Sequence, residues 1–144
     1  MNLDALLSHR FTPETLRYGP REVMLYALGV GLGAEPADLR FVQERDLAVL
    51  PGFPCVLGSQ DDWFTAPGIG IDRAQVLHLE QRIETRRPLP PEGRVQVAYR
   101  LEGVADRGPR RGAAISFGKR LSDPATGTPY ADLRYTILAR GDGG

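Results

Sequence analysis

The chain contains few residues of several types, and each scarcity limits the functions that the chain can have. Its 144 residues include one cysteine, Cys55, so no internal disulfide forms and the thiol suits a reducing compartment. Two histidines leave little for a complete acid–base site, and we expect His9, near the N-terminus, to be a surface or packing residue. Lys119 is the one lysine among 18 basic residues, a bias towards arginine that we attribute to genome composition rather than function.

Extremes of charge and hydropathy are also missing. The 18 basic and 18 acidic residues balance, so nothing attracts the chain to nucleic acid or to a membrane surface. No apolar run approaches the roughly 20 residues that span a bilayer. The N-terminus lacks the basic flank and the apolar stretch of a signal peptide. We therefore expect a cytoplasmic protein that binds neither nucleic acid nor membrane.

One segment predicts a helix. Gly19-Pro20 precedes an apolar stretch over 21–33, and proline fits the first turn of a helix. Apolar residues fall on all of its faces, which predicts a helix buried on nearly every side. We expect Gly31 or Gly33 to end it. This glycine-rich stretch lacks a preceding strand and the lysine of a P-loop, so we do not interpret it as a phosphate-binding loop.

The second half of the chain predicts long antiparallel strands. Stretches that alternate between an apolar and a polar face, separated by turn residues, lie at 75–86, 94–105, 113–121 and 130–140. A sheet of this kind and one buried helix pack most simply when the sheet wraps around the helix. We therefore predict an α+β protein with a hotdog fold, as a single domain over residues 1–140 with a linker-like tail over 141–144.

Two polar residues of the first predicted strand suggest chemistry. His78 and Glu80 lie two residues apart, and residues two apart on a strand share a face. An acid beside an imidazole is the minimum equipment for proton transfer. The alternative is a structural histidine near the strand interface and a glutamate that pairs with Arg82. The neighbouring carboxylates of Asp61 and Asp62 we expect to cap a helical turn or to lie in a solvated loop.

Several short segments follow one another in an order that belongs to a known family. They lie at Tyr18 and at 23–31, 38–42, 49–53, 78–81, 88–90 and 140–144. As an ordered set they resemble the N-terminal half of the type 2 (R-specific) enoyl-CoA hydratases, within the MaoC-like hotdog superfamily. The family's His-Gly-Glu-Gln segment corresponds to 78–81, where Leu79 stands in place of the glycine.

The resemblance implies a function that this chain completes only in part. Family members are double hotdogs of about twice this length. An Asp-x-Asn-Pro-x-His motif in their other half adds water to a trans-2-enoyl-CoA, or dehydrates a (3R)-hydroxyacyl-CoA, without metal or cofactor. The motif is absent here. We interpret the chain as the non-catalytic half that shapes the acyl pocket for a second hotdog carrying the motif. We expect a separate subunit, and the alternative is a fragment of a longer protein with two hotdogs.

The pocket residues expected from this resemblance come from the helix, from the proline-rich segment and from the first long strand. They are Tyr26, Val49, Leu50, Phe53, His78 and Gln81, with ordinary core packing as the alternative for each.

Two other interpretations remain open. In one, the chain forms a homodimer or larger homo-oligomer and acts as a hydratase or thioesterase through His78 and Glu80 at the interface. In the other, it is an inactive scaffold that binds acyl-CoA, with Arg110 and Arg111 of a loop near the coenzyme phosphates. All three interpretations predict that the chain is not a monomer, because its sheet edges and apolar surface need a partner.

Overall fold

The computed structural model describes residues 1–144 as one antiparallel sheet with short helices packed on it. The strands are β1 (Glu14–Tyr18), β2 (Val76–Thr85), β3 (Gly93–Asp106), β4 (Ala113–Ser122) and β5 (Pro129–Ala139). The helices are α1 (Leu3–Ser8), α2 (Pro20–Gly29) and α3 (Leu39–Val42), and short 3-10 turns lie between α2 and β2. None of the helices is long and apolar enough to cross a membrane.

The strands run in the order β1-β3-β4-β5-β2, so β2 forms one edge of the sheet. All neighbours pair antiparallel. The predicted strands are confirmed, each within one residue at either end. β1 was not predicted, because its five residues are too few to establish an alternating pattern. The α+β hotdog fold is confirmed.

The long strands separate an apolar inner face from a charged outer face. The inner face buries Val95, Val97, Tyr99, Ile115, Phe117, Lys119, Leu121, Leu133, Tyr135 and Ile137. On the outer face, Glu102 pairs with Arg100 and Arg134, while Asp132 pairs with Arg86 and Arg120. Each fully buried aliphatic or aromatic side chain contributes roughly 1.5–3 kcal/mol to the free energy of folding. The alternation of the sequence therefore decides which face of the sheet carries the core.

Helix α2 departs from the prediction. It ends as expected before a glycine: Gly31 has a φ of 93° and its amide donates to the carbonyl of Leu28 at 3.0 Å. The prediction that the helix is buried on nearly every side is wrong. Val23 and Ala27 are buried, but Leu25 is 54% exposed and Leu28 is 51% exposed.

The irregular segment over 43–75 covers much of the inner face that was expected to receive the helix. Its buried side chains are Leu47, Phe53, Pro54, Leu57, Trp63, Phe64, Ile69 and Ile71. The Trp63 ring lies 5.8 Å from that of Phe117 on β4 and 5.2 Å from that of His9. His9 is therefore a packing residue, as expected.

Residues 141–144 lie against the loop that follows β3. The amide of Gly144 donates to Asp106 Oδ1 at 3.0 Å, and Asp142 pairs with the N-terminal amino group. These contacts tie the end of β5 to the β3–β4 connection.

One buried charge joins the irregular segment to the sheet, in addition to the segment's buried apolar side chains. Lys119 is inaccessible to solvent, and its Nζ donates to the carbonyl of Cys55 at 3.0 Å and to Asp61 Oδ1 at 3.1 Å. The ammonium lies between the rings of Tyr99 and Tyr135, 5.6 and 5.5 Å from their centroids. A buried ion is tolerated only with such compensation. Asp61 lies in a loop, as expected, with its side chain 41% exposed, but its pairing with the buried Lys119 was not expected.

Replacing Asp61 with asparagine removes the charge partner of Lys119 and keeps the shape of the side chain. We expect the free energy of unfolding, measured with urea, to fall by about 3 kcal/mol, because an uncompensated ion stays in the core. Lys119→Met removes the ion altogether, and its free energy of unfolding should stay within about 1 kcal/mol of that of the unmodified chain.

Asp62→Asn is the matched control. Asp62 pairs with Arg73 at the surface, where the two side chains are 50% and 73% exposed. Its replacement should change the free energy of unfolding by less than about 0.5 kcal/mol. Equal losses in the two asparagine variants would show that the Lys119 pair does not hold the segment.

Candidate functional site

A cleft of about 500 Å³ opens on the inner face of the sheet, beside the β2 edge. Strand β2 contributes Val76, His78 and Gln81, and the floor is formed by Phe117, Tyr135 and Ile137 of β4 and β5. The opposite wall is the part of the irregular segment over 58–64, with Arg73. Two of the residues expected to contact substrate, His78 and Gln81, therefore lie in one cleft.

A β-bulge at Leu79 separates the expected catalytic pair. His78 pairs with Ile137 across the β2–β5 ladder, whereas Glu80 pairs with Thr136, so the register shifts by one residue. Paired residues project from the same face, and Ile137 belongs to the buried inner face while Thr136 belongs to the other. The prediction that His78 and Glu80 share a face is wrong, because an extra residue in a bulge breaks the alternation.

The same bulge brings Gln81 onto the inner face. Gln81 pairs with Tyr135 in the ladder, and its Nε2 donates to the sulfur of Cys55 at 2.7 Å. The ring of His78 meets the ring of Tyr135 edge-on, with centroids 6.0 Å apart. Leu79 itself keeps a negative φ, since Asp46 is the only residue other than glycine with a positive one. A leucine therefore fits this bulge without strain.

The other residues expected to line the pocket lie elsewhere. Val49 and Leu50 line a separate cleft of about 110 Å³ beside Leu89. Phe53 is 1% exposed, and its ring packs 5.7 Å from that of Tyr26. Phe53 is a core residue in this structure, and Tyr26 packs against it.

The loop arginines also lie away from the β2 cleft. Arg110 and Arg111 lie with Arg107 and Arg140 around a shallow cleft of about 630 Å³, at the β3–β4 connection. All four side chains belong to exposed residues, so solvent reaches this cluster freely.

The charges around the β2 cleft balance one another. Asp61 pairs with Lys119, and Asp62 Oδ2 accepts from Arg73 Nη1 at 3.2 Å. Burial lowers the pKa of Lys119, and the carboxylate of Asp61 opposes that effect. Burial also raises the pKa of the Cys55 thiol, which therefore stays protonated and is not an activated nucleophile.

Burial raises the pKa of the Tyr135 phenol as well, and the nearby charge of Asp61 adds to the effect. No group of three or more histidine, cysteine, aspartate or glutamate side chains is arranged to hold a metal ion. The cleft is therefore equipped to hold an apolar group with polar contacts at its walls.

The sequence did not identify Lys119 and Asp61 as neighbours of the site, and it did not single out Tyr135. One signal was present, because Lys119 stands at an inward position of an otherwise apolar strand, two residues after Phe117. A charge at such a position needs a partner, but the sequence does not say which of its carboxylates supplies it.

Comparisons with known proteins agree with this architecture. A family model described as the MFE-2 hydratase 2 N-terminal domain matches residues 16–141. The peroxisomal enoyl-CoA hydratase 2 of Arabidopsis thaliana is 33% identical over 153 residues, covering 99% of this chain and 49% of that protein. The chain thus spans about half the length of the curated relatives it matches.

Solved structures give the same result. A MaoC-like dehydratase from Phytophthora capsici superposes with a TM-score of 0.77 at 27% identity, covering 100% of this chain and 51% of that one. A chain of the HadBC (3R)-hydroxyacyl-ACP dehydratase complex from Mycobacterium tuberculosis shares the fold, with a TM-score of 0.65 at 16% identity. The superposition covers 92% of this chain and 99% of that one. The chain therefore belongs to the family of the MFE-2 hydratase 2 N-terminal domain, within the MaoC-like hotdog proteins.

Proposed function

We propose that this chain is the acyl-binding half of an (R)-specific 2-enoyl-CoA hydratase or 3-hydroxyacyl-CoA dehydratase. The reacting groups then belong to a second hotdog half that carries the Asp-x-Asn-Pro-x-His motif. The observation that carries the proposal is the position of β2: the strand that lines the cleft with His78 and Gln81 is also the free edge of the sheet.

The β2 edge has the properties of a pairing surface. Every residue from Leu77 to Thr85 is exposed, and Leu77 and Leu79 are 47% and 46% exposed. A long edge strand with unpaired backbone groups and exposed leucines is a template for another strand. A second hotdog half that pairs here extends the sheet and brings its own residues beside the cleft.

The side chains around the cleft are better suited to binding an acyl group than to catalysing its hydration. Hydration of a 2,3-double bond needs groups that move a proton at each reacting carbon, and donors for the developing enolate charge. His78 faces the cleft, but Glu80 lies on the opposite face and the Cys55 thiol is protonated. Phe117 and Ile137 offer an apolar floor that holds an acyl chain and excludes water.

Within one chain His78 and Glu80 lie on opposite faces of the sheet, which weighs against a homo-oligomeric enzyme that uses both residues of the same chain. A cytoplasmic location is part of the proposal, and the unpaired Cys55 supports it.

If the reacting groups belong to a second hotdog half, adding that half should restore activity. The purified chain should show no measurable hydration of crotonyl-CoA, whereas addition of a hotdog half carrying the motif should raise turnover at least about 100-fold, the usual contribution of positioned acid–base groups. The control is the same partner with the motif histidine replaced by alanine. Turnover by the chain alone would refute the proposal, and a partner that neither co-elutes nor gains activity would favour an inactive scaffold.

The β2 edge predicts a second result. Leu77→Lys combined with Leu79→Lys should weaken the complex with the partner half at least about tenfold in Kd, because two apolar side chains lose their burial. The chain should fold normally, since both leucines are exposed. Kd is measured by titration of labelled partner.

The matched control for this variant is Leu3→Lys. Leu3 is a similarly exposed leucine, at 47%, but it lies on α1. Its replacement should leave Kd unchanged, and a double variant that binds the partner as well as the unmodified chain would place the interface elsewhere.

A further inference from the structure

We infer that β2 pairs antiparallel with β2 of a second copy of this chain, in a register centred on Ile83. The inference goes beyond the function proposed above, because it concerns the chain before a second hotdog half reaches the same edge. The pairing joins the two sheets into one and gives a dimer with twofold symmetry.

The outer edge of β2 is free along its length. The strand pairs with β5 on one side only, and every residue from Leu77 to Thr85 is exposed. Ile83 is 36% exposed although its ladder partner, Leu133, is buried on the inner face. An apolar side chain at an open edge gains burial when a second strand covers it, and the free backbone groups gain hydrogen bonds.

The outer face of β2 carries charges of alternating sign. Glu80, Arg82 and Glu84 project from this face, because their ladder partners on β5 are outer-face residues. Arg86, the residue after β2, continues the series, and its Nε donates to Asp132 on β5 at 3.1 Å. Neither Glu80 nor Arg82 forms an ion pair within the chain. The edge therefore presents the order acid, base, acid, base, with two of its charges unpaired.

This order of charges is self-complementary in an antiparallel pair. When Ile83 lies opposite Ile83 of the second copy, Arg82 lies opposite the second copy's Glu84. In the same register, Glu80 lies opposite the second copy's Arg86. The twofold axis repeats each contact, and opposite charges directly across two strands stabilise the pairing. The two isoleucines meet on the inner face and bury each other.

Other registers fit less well. A slip of one residue sets outer-face residues of one copy against inner-face residues of the other. A register centred on Arg82 places this arginine against itself and Glu80 against Glu84, and one centred on Glu84 places that carboxylate against itself. A register centred on Gln81 draws the bulge at Leu79 into the paired region, where the alternation of faces is lost. Like charges that face each other destabilise a strand pair, so the charges select the register centred on Ile83.

The test measures self-association of the chain alone by sedimentation equilibrium. We expect a dimer with a Kd in the micromolar range, since one strand pair buries a small interface. Arg82→Glu places like charges at two symmetric positions and should raise Kd at least about tenfold. Glu84→Arg should have a similar effect for the same reason.

Charge reversal also predicts a rescue. An equimolar mixture of the Arg82→Glu and Glu84→Arg chains should associate about as tightly as the unmodified chain, because every acidic position then faces a basic one. Combining both changes in one chain should also return Kd to within about threefold of the original value. A variant that had lost its fold would not recover on mixing, so the rescue separates charge pairing from structural damage.

Arg17→Glu is the matched control. Arg17 is an exposed arginine of β1, the other edge strand, and it lies opposite Arg94 as Arg82 lies opposite Arg134. Its reversal should leave Kd unchanged. An effect as large as that of Arg82→Glu would show that net charge, rather than pairing at β2, governs association, and would overturn the inference.

Other results would also overturn it. They are a chain that stays monomeric at about 100 μM, a dimer that both single variants leave intact, and a mixture that associates no more tightly than its components. None of these results bears on the proposed function, which the addition of a second hotdog half tests through hydration of crotonyl-CoA. Failure of that experiment would in turn leave the self-association of β2 unaffected.

Discussion

The ion pair between Lys119 and Asp61 fixes where the irregular segment over 43–75 meets the sheet. The segment over 43–75 has little regular structure, so few backbone ladders attach it to the sheet. A buried ammonium that bonds Cys55 and Asp61 fixes the middle of this segment over β4. The wall of the cleft and the partner of Gln81 both belong to this segment, which buried side chains such as Trp63 and Phe64 pack onto the sheet and which the ion pair positions.

The strands were predictable from the sequence, whereas the bulge in β2 and the exposure of α2 were not. Long strands were predictable to within one residue, because a sheet with one buried face imposes a period of two on every strand. The same rule gave a wrong prediction for His78 and Glu80, which were expected to share a face. A bulge at Leu79 shifts the period there, and no residue type in this stretch indicates a bulge. The burial of α2 was overestimated because apolar residues predict that a surface is covered and do not say by what.

The candidate site was therefore predictable in part. His78 and Gln81 were identified through the resemblance, and they meet in the cleft because the bulge turns both inward. Phe53 was assigned to a pocket and lies in the core. The Lys119–Asp61 contact joins residues 58 positions apart, and no local pattern indicates a contact at that distance along the chain.

The charged outer face limits the ways in which two such sheets could associate. Arginines bridged by Glu102 and Asp132 keep that face hydrated, so two sheets have little tendency to stack through it. The far edge, β1, is only five residues long, and Glu14 there accepts hydrogen bonds from Ser59. The chain thus offers one long exposed edge, β2, for strand pairing, and a pairing that uses this edge on both partners would leave no second edge of that length for growth into a fibre.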